Sequence, residues 1–467
     1  MTSIPQPDNV SAQKRISHAC FEGFGIRAKT ANRIQESMYV DKVILINIKG
    51  FKHAELDLSR PNNKYAGLTV FTGDNGSGKS TLLKAIAIAL TGREVSRSLQ
   101  SDFRGWIRQD SENQESKIEL SIVPTKEVDE FSDKGKTAYN KFQASVHLKA
   151  GAKEGSVELT ATQSKSTLVN RGLWSATARG WFSCGYGPFR RVFGASQEAT
   201  RLMVSPTTER FVTMFQEAAS LFEVDQWLRN LNHKKLEGSE AASKQLELLL
   251  EVLRDELMPN QITVDRVDSD GLWLKDRHGV QLAWTEMSDG YRAALALLTD
   301  IVRHLISTFG IDHISERDQD GKLIITGSGV VMIDEIDAHL HPQWQRDIGF
   351  WLKRHFPNIQ FLVTTHSPII CQAADDNGLF VLPAPGSDQL VRQLTVEEQN
   401  IVISSRPDTI LLTAAFGLQN TRSPRAVKGR ADYAKLKAKQ RAGAILTLEE
   451  ENKLKQLQLF ADTDEEL

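Results

Sequence analysis

The order of apolar and polar positions near the start of the chain predicts strands followed by a helix. An apolar run at residues 43–46 and an alternating stretch at residues 53–58 predict two strands joined by a short turn. A third apolar run, residues 68–71, predicts a buried strand that leads through a glycine-rich turn into an apolar helix over residues 80–90. Strands and a helix in this order favour an α/β fold.

The middle of the chain gives a mixed pattern. Alternation predicts strands at residues 142–148 and 156–162, whereas apolar spacing predicts helices over residues 207–231 and 240–257. The helical spacing in the last of these ranges continues for only about two heptads. A long protruding coiled coil is therefore not expected.

Strand character returns in the second half and alternates with helices. Three short strands separated by hairpin turns come first, then a helix, and then two buried strands on either side of a second helix. In order, these elements are predicted at residues 262–267, 272–275, 280–283, 291–306, 330–333, 344–355 and 360–364.

The composition excludes several classes of protein. Hydrophobic residues make up 40% of the 467 positions and charged residues 25%, as in an ordinary globular protein. The formal net charge is −2, from 57 basic and 59 acidic residues, so a globally basic coat for nucleic acid is excluded. Three scattered cysteines without a CxxC exclude a disulfide scaffold. No apolar run approaches the roughly 18–20 residues that span a bilayer, so we expect a cytoplasmic protein.

The glycine-rich turn matches the phosphate-binding pattern G-x-x-x-x-G-K-[ST], with a strand before it and a helix after it. Its glycines let successive N–H groups face an anion, and the helix dipole adds to that attraction. Lys79 would contact the β- and γ-phosphates of ATP, and the Ser80 hydroxyl would bind Mg²⁺. The candidate nucleotide-binding residues are Gly73, Asp74, Asn75, Gly76, Ser77, Gly78, Lys79, Ser80 and Thr81.

Two carboxylates follow the buried strand at residues 330–333. Asp334 at the strand end is the candidate metal-side carboxylate. Glu335, next to it, is the candidate general base that activates water. Solvated acids at a strand end are the alternative, which the phosphate-binding loop upstream disfavours.

Two further positions carry candidate chemistry. His366 lies just beyond the strand at residues 360–364. A lone histidine is more often structural, but this position at the tip of a strand favours a sensor of the γ-phosphate. Ser288 and Gly290 open the helix over residues 291–306, where they could form either an anion-binding N-terminus or an ordinary N-cap. The residues alone leave both readings of this helix start open.

Taken in order, these motifs resemble the Walker A loop, signature motif, Walker B strand and switch histidine of the ATP-binding-cassette superfamily. The best match is its SMC- and RecF-like branch, whose opening strand is similar to residues 46–51. The resemblance implies an α/β ABC-ATPase head: a mixed β-sheet core with a P-loop helix and antiparallel strands, an inserted mainly helical lid, and no long coiled coil. It also implies the following division: an N-terminal extension (1–38), two ATPase halves (39–125 and 262–383), the lid (126–261) and a charged tail (384–467).

The same resemblance implies a head-to-tail dimer with two composite sites. Ser288 and Gly290 of one subunit would close over ATP bound by the other, and Asp337 occupies the D-loop position. Lys49 would lie near the phosphates. The family's Mg²⁺-sensing glutamine corresponds to Gln109, with Gln114 as the alternative.

A narrower resemblance concerns the function. Residues 185–191, 287–292 and 408–424 look like ATPases of bacterial anti-phage systems such as Septu and certain retrons, where the ATPase is encoded with an HNH nuclease. This implies an ATPase that regulates a separate nuclease. The residues after Pro383 show no paired-carboxylate strand pattern, so we expect no nuclease activity of the chain itself. The alternatives are a RecF-like DNA-repair ATPase without a toxic effector and, less favoured, a transporter subunit.

The expected partners are a second copy of the chain, the nuclease, and DNA or another nucleic acid, but no membrane. Residues 422–441 hold eight basic residues and one acidic residue. This segment suits phosphate or an acidic partner, but it could equally be a solvated helix face, or the acid-rich end of the chain could fold back on it.

Overall fold

The computed structural model describes residues 38–109, 116–125, 128–132, 140–152, 156–161, 166–190, 205–217, 219, 221–387 and 389–458. The predicted extension, apart from Met38, lies outside the described residues. Gln114, the alternative Mg²⁺ sensor, also lies outside them.

Strands occur in both halves of the chain, as the periodicity predicts. They are β1 (Tyr39–Ile48), β2 (Phe51–Asp57), β3 (Gly67–Thr72), β4 (Ser116–Val123), β5 (Phe142–Ala150), β6 (Val157–Ala161), β7 (Ser183–Tyr186), β8 (Thr263–Asp268), β9 (Gly271–Lys275), β10 (Gln281–Ala283), β11 (Ser315–Arg317), β12 (Leu323–Ile325), β13 (Gly329–Ile333), β14 (Ile359–Thr364), β15 (Leu379–Val381) and β16 (Arg392–Gln393).

The helices range from single turns to two long helices that follow the phosphate-binding and signature motifs. They are α1 (Lys79–Leu99), α2 (Ser166–Arg171), α3 (Pro206–Glu209), α4 (Val212–Phe215), α5 (Phe222–Leu236), α6 (Glu240–Arg254), α7 (Asp289–Phe309), α8 (Pro342–His355), α9 (Pro368–Cys371), α10 (Val396–Ser404), α11 (Pro407–Leu412), α12 (Pro424–Arg441) and α13 (Leu448–Gln458). Within the described residues, no helix is both long and apolar enough to cross a membrane.

The central sheet has the strand order β16-β15-β3-β14-β13-β7. Its strands run parallel except for β16, which pairs antiparallel with β15. Ile333 pairs with Val363 of β14 on one side and with Tyr186 of β7 on the other. Because parallel strands end at a common edge, the loops after β3, β7, β13 and β14 meet there.

Helix α1 lies between the central sheet and an antiparallel sheet of order β2-β1-β4-β5-β6. Side chains on β13 and β14 alternate between two cores: Met332 and Leu362 face the core that contains α1, whereas Ile333 and Val363 face α7 and α8. This alternation follows from the two-residue repeat of a strand and explains why both strands are apolar throughout. The predicted α/β fold class is confirmed.

The single helix predicted over residues 207–231 is wrong, because the structure has three separate helices there, α3, α4 and α5. The break lets the Arg210 carbonyl accept a hydrogen bond of 2.8 Å from the N–H of Gly185, on the edge strand β7. It also buries Phe211 completely. Tertiary packing has overridden the local helical pattern here. The inserted region, residues 126–261, thus contributes strands to both sheets as well as helices.

Candidate nucleotide-binding site

The phosphate loop connects β3 to α1 at the common edge of the central sheet. Gly78 is the N-cap of α1. Its φ of 98° is a backbone conformation that residues with a side chain rarely adopt. A Cβ at Gly78 would lie 2.7 Å from a ring atom of Phe51, because the start of β2 packs on the loop. No side chain caps α1, so its first N–H groups remain available to an anion.

Lys79 folds back on this loop. Its Nζ donates to the carbonyl oxygens of Gly73, at 2.8 Å, and Asp74, at 2.9 Å. Burial lowers the pKa of Lys79, and the carboxylates of Asp334 and Glu335 oppose that shift. Lys79 is therefore within electrostatic reach of the acidic pair predicted from the sequence.

Ser77 contributes an unsatisfied polar atom to the same loop. Its side chain is only 7% exposed, and its Oγ has no hydrogen-bond partner among the described residues. Buried hydroxyl groups nearly always have a partner, so this atom suits a polar ligand held by the loop.

Asp334 follows β13 and is 2% exposed. The hydroxyl of Thr364, at the end of the neighbouring strand β14, donates to Asp334 Oδ1 at 2.5 Å. The same hydroxyl accepts from the Glu335 N–H at 2.7 Å. One carboxylate oxygen of Asp334 is thus fixed by Thr364, while Oδ2 accepts no hydrogen bond from the described residues.

Glu335 has φ 48°, in the left-handed region that residues other than glycine seldom occupy. Its side chain is half-buried, and its carboxylate accepts no hydrogen bond from the described part of the chain. That carboxylate is therefore free to accept a proton from a bound water molecule.

Asp337 and His366 come together across β13 and β14. Asp337 Oδ1 accepts from the Thr365 hydroxyl at 2.5 Å and from the backbone N–H of His366 at 3.4 Å. The His366 side chain is exposed at the strand end. The structure thus places both predicted residues at the edge where Asp334 and Glu335 lie.

Lys49 and Gln109 lie together at the turn between β1 and β2. Lys49 Nζ sits 4.4 Å from the centre of the Trp106 ring, and burial, followed by the charge of Lys84, lowers its pKa. Gln109 is exposed and lines a shallow depression beside Lys49. Neither side chain hydrogen-bonds to the phosphate loop or to Asp334 within the described residues, so both roles stay predictions.

Ser288 is the exposed N-cap of α7 and makes no side-chain capping bond. Gly290 is buried, and a Cβ there would lie 2.1 Å from the carbonyl oxygen of His339, two residues after Asp337. Packing against the chain's own D-loop segment thus accounts for this glycine. No hydrogen bond links Ser288 to the phosphate loop within the described chain.

From the sequence, Thr364 receives no role, and Arg190 enters only as part of the motif at residues 185–191. In the structure, Arg190 is buried and its guanidinium donates to the carbonyl oxygens of Asp334, at 2.8 Å, and Glu335, at 2.9 Å. The sequence signal for both is weak: a threonine that ends an apolar strand, and an arginine that follows Gly187 and Pro188.

The basic segment predicted at residues 422–441 forms α12, against which α13 packs. Lys439 Nζ lies 2.7 Å from Glu450 Oε1, and Lys453 Nζ lies 3.1 Å from Asp432 Oδ2. The described part of the acid-rich segment, residues 448–458, therefore folds back on the basic segment, which was one of the alternatives.

Residues 68–372, more than half of the chain, match the family described as an AAA domain, putative AbiEii toxin, Type IV TA system. The chain is similar to the Septu protein PtuA of Bacillus mycoides (strain KBAB4): 27% identity over 347 residues, covering 74% of this chain and 40% of the relative. It is also similar to the retron Ec83 probable ATPase of Escherichia coli, with 25% identity over 402 residues, 73% of this chain and 71% of the relative. The chain spans less than half the length of the Septu relatives that it matches.

Solved structures with a similar fold include the SMC head domain from Thermotoga maritima, with 15% identity and a TM-score of 0.40 over 77% of this chain and 100% of that one. Another is the recombination mediator protein RecF of the RecFOR pathway, with 13% identity and a TM-score of 0.39 over 77% of this chain and 99% of that one. The predicted resemblance to the ATPases of Septu and retron systems is confirmed by the family and by the relatives.

Proposed function

The chain belongs to the family described as an AAA domain, putative AbiEii toxin, Type IV TA system, and from that premise we propose that it is an ATPase of an anti-phage defence system. It hydrolyses ATP at sites shared between two copies of the chain. Through that cycle it regulates a separately encoded nuclease of the HNH type.

The observation that carries ATP binding is the state of the phosphate loop. Three groups suited to binding a phosphate lie in this one short loop. They are the uncapped N-terminus of α1, the Ser77 hydroxyl, which has no partner among the described residues, and the Lys79 ammonium. Two neutral carbonyls hold Lys79, and no carboxylate forms an ion pair with it within the described residues. A phosphate group therefore offers Lys79 a stronger, charged acceptor than the ones it has.

The residues present also fit the metal ion that accompanies ATP. Bound Mg²⁺ would neutralise phosphate charge, and its proposed ligands are Ser80, Asp334 and Gln109. Asp334 fits that task because Thr364 occupies only one of its two carboxylate oxygens. Glu335 acts as general base toward water, and His366 contacts the γ-phosphate.

The composite site rests on the placement of Ser288. The Ser288 side chain is exposed at the N-terminus of the long helix α7 and makes no capping hydrogen bond. Within the described residues it also makes no hydrogen bond to the phosphate loop of its own chain. In a two-fold dimer, the same surface is presented to the partner's phosphate loop, and each copy completes the other's site. Ser288, Gly290 and Asp337 are the residues proposed to act in that way.

Regulation of a nuclease is supported by the relatives. The names Septu protein PtuA and retron Ec83 probable ATPase belong to defence systems, and this chain matches both over about three quarters of its length. A RecF-like repair ATPase is the alternative. The ion pairs between α12 and α13 neutralise part of the basic segment that such a protein would offer to DNA.

A mixing experiment tests the shared site. Lys79→Ala removes the phosphate contact and Ser288→Arg blocks the signature surface, so each variant alone should lack ATPase activity. In a heterodimer of the two, one site has an intact Lys79 from one chain and an intact Ser288 from the other. An equal mixture should therefore regain about a quarter of the wild-type rate, because half of the dimers are mixed and each has one working site of two.

Two results would contradict this proposal. Full activity of Ser288→Arg alone would show that Ser288 does not belong to the ATP site, and the composite site proposed around it would then be wrong. A mixture that stays inactive after subunit exchange, while the wild type hydrolyses ATP, would rule out the shared site and leave the ATPase itself in place.

A further inference from the structure

The Asp334 carbonyl, just after β13, lacks a backbone donor from the neighbouring strand β7. The N–H of Asp334 still donates to Tyr186 of β7, at 2.9 Å. In a parallel ladder, the next bond would run from the N–H of Pro188 to the carbonyl of Asp334. Proline has no N–H, so the ladder ends one bond before the two acidic residues.

Arg190 supplies the donor that Pro188 lacks and adds a second donor to the Glu335 carbonyl. Arg190 lies two residues after Pro188. Its Nη1 donates to the Asp334 carbonyl at 2.8 Å and to the Gly187 carbonyl at 3.3 Å. Its Nη2 donates to the Glu335 carbonyl at 2.9 Å. A planar guanidinium can satisfy two neighbouring carbonyls at once, which a lysine ammonium does less well.

Arg190 is 6% exposed, so its role lies inside the protein. Burial lowers its pKa to about 10, with the carboxylates of Asp334, Asp337 and Glu335 opposing the shift, and the side chain stays charged at neutral pH. This burial excludes direct contact of the guanidinium with DNA or a partner chain.

The backbone of Glu335 is held from both sides. Thr364 accepts its N–H, and Arg190 donates to its carbonyl, while φ at 48° is costly for a residue with a side chain. A strained conformation persists only when its surroundings enforce it. The Glu335 carbonyl also accepts from the N–H of Ala338 at 2.9 Å, and the Ile336 N–H donates to the Thr364 carbonyl at 3.0 Å. Loss of Arg190 removes one of the restraints on the peptide after Glu335, and the carboxylate is then held less firmly relative to the phosphate loop.

We propose that Arg190 is a positioning residue for hydrolysis, which fixes the backbone at Asp334 and Glu335 and thereby aims the Glu335 carboxylate at the attacking water. The inference rests on the proposed ATPase function. It assigns to Arg190 a role in the rate of the chemical step and none in holding ATP.

Three variants test it in full-length protein. Arg190→Gln keeps a polar side chain but loses the fork, and kcat for ATP should fall by about 10- to 100-fold while KM changes less than about twofold, as expected when a general base is displaced. Arg190→Lys can still reach one carbonyl, so its kcat should lie between those of Arg190→Gln and the wild type.

Arg210→Gln is the matched control for loss of an arginine near β7. Arg210 donates to the Thr308 hydroxyl at 2.7 Å and stacks on Phe182, without contact to Asp334 or Glu335 among the described residues. The Arg210→Gln substitution should lower the melting temperature and change kcat by less than about twofold relative to the wild type. Equal losses of kcat in Arg190→Gln and Arg210→Gln would overturn the inference.

A double-mutant cycle with Glu335→Gln gives a readout that a general structural role would not move. If Arg190 acts through Glu335, Arg190→Gln lowers kcat at least tenfold in the wild-type background and less than about threefold in Glu335→Gln. Losses that multiply fully would contradict the inference. If the wild-type protein fails to hydrolyse ATP, the proposed function fails, and that result is distinct from an active wild type with a fully active Arg190→Gln.

Discussion

Thr364→Val is the perturbation that tests the geometry of the acidic pair most simply. The Thr364 hydroxyl bridges the Asp334 carboxylate and the Glu335 N–H, both within 2.7 Å. Valine has nearly the same shape, so the substitution removes the hydroxyl without opening a cavity.

The expected cost has two parts. A hydrogen bond to a charged carboxylate contributes roughly 1.5–3 kcal/mol, and a buried N–H left without an acceptor costs roughly 1–3 kcal/mol. Thr364 and Asp334 are both buried, so water replaces the hydroxyl poorly. We therefore expect the free energy of unfolding to fall by about 3–5 kcal/mol.

The assay is urea unfolding followed by tryptophan fluorescence, with wild type, Thr364→Val and Thr364→Ser measured side by side. Serine keeps the hydroxyl and should recover most of the loss. A loss below about 1 kcal/mol in Thr364→Val, or an equal loss in both variants, would show that the hydroxyl bridge does not contribute the expected stability.

Two further predictions concern packing and pH. Gly290→Ala places a methyl group 2.1 Å from the His339 carbonyl oxygen, so we expect a lower melting temperature and reduced ATPase activity. The melting temperature is measured by differential scanning fluorimetry. A melting curve that matches the wild type would show that the D-loop moves freely away from α7. Burial, and then the hydrogen bond and charge of Glu209, raise the pKa of Glu223 from its ordinary 4.5 to about 8. Because the folded state then binds the extra proton, the stability from this group is fully present below pH 4.5 and is lost as pH rises to 8. Glu223→Gln should flatten the dependence of urea stability on pH across that window, and an unchanged slope would be the contrary result.

The parts of the site that the sequence predicts well are those in which chemistry and local pattern coincide. The motif at residues 73–81 joins a strand to a helix both in the sequence prediction and in the structure, where its last three residues already belong to α1. Asp334 and His366 each follow an apolar run that becomes a parallel strand. For these residues, the chain neighbours determine the element, and parallel strands bring the element ends together.

The parts that were not predicted depend on contacts between distant segments. Arg190 donates a hydrogen bond to the Asp334 carbonyl because β7 pairs with β13 in one particular register and Pro188 then interrupts the ladder. On the other side of β13, the Thr364 hydroxyl accepts from the Glu335 N–H because β14 pairs with β13 in a fixed register. Such pairings across long sequence separations leave no periodic signal in either segment.

The helix predicted over residues 207–231 failed because helical spacing is local, whereas the bond from Gly185 to the Arg210 carbonyl is not. Gly290 was predicted as a contact to the partner's ATP, but its lack of a side chain is already required by the approach of His339. A contact through its backbone N–H remains a proposal. Gln109 stays a proposal as well, because its neighbours in the described residues lie at the turn after β1.

The most direct measurement is to purify Glu335→Gln from its native cells in the presence of ATP and Mg²⁺, and to determine its bound nucleotide, mass and associated chains. We expect a dimer or higher assembly that retains ATP and carries a second protein chain in fixed stoichiometry, and we expect that second chain to cleave DNA when isolated. A monomer without nucleotide would contradict the shared ATP site. A dimer that carries ATP and DNA but no nuclease would contradict the defence role and favour a RecF-like repair ATPase.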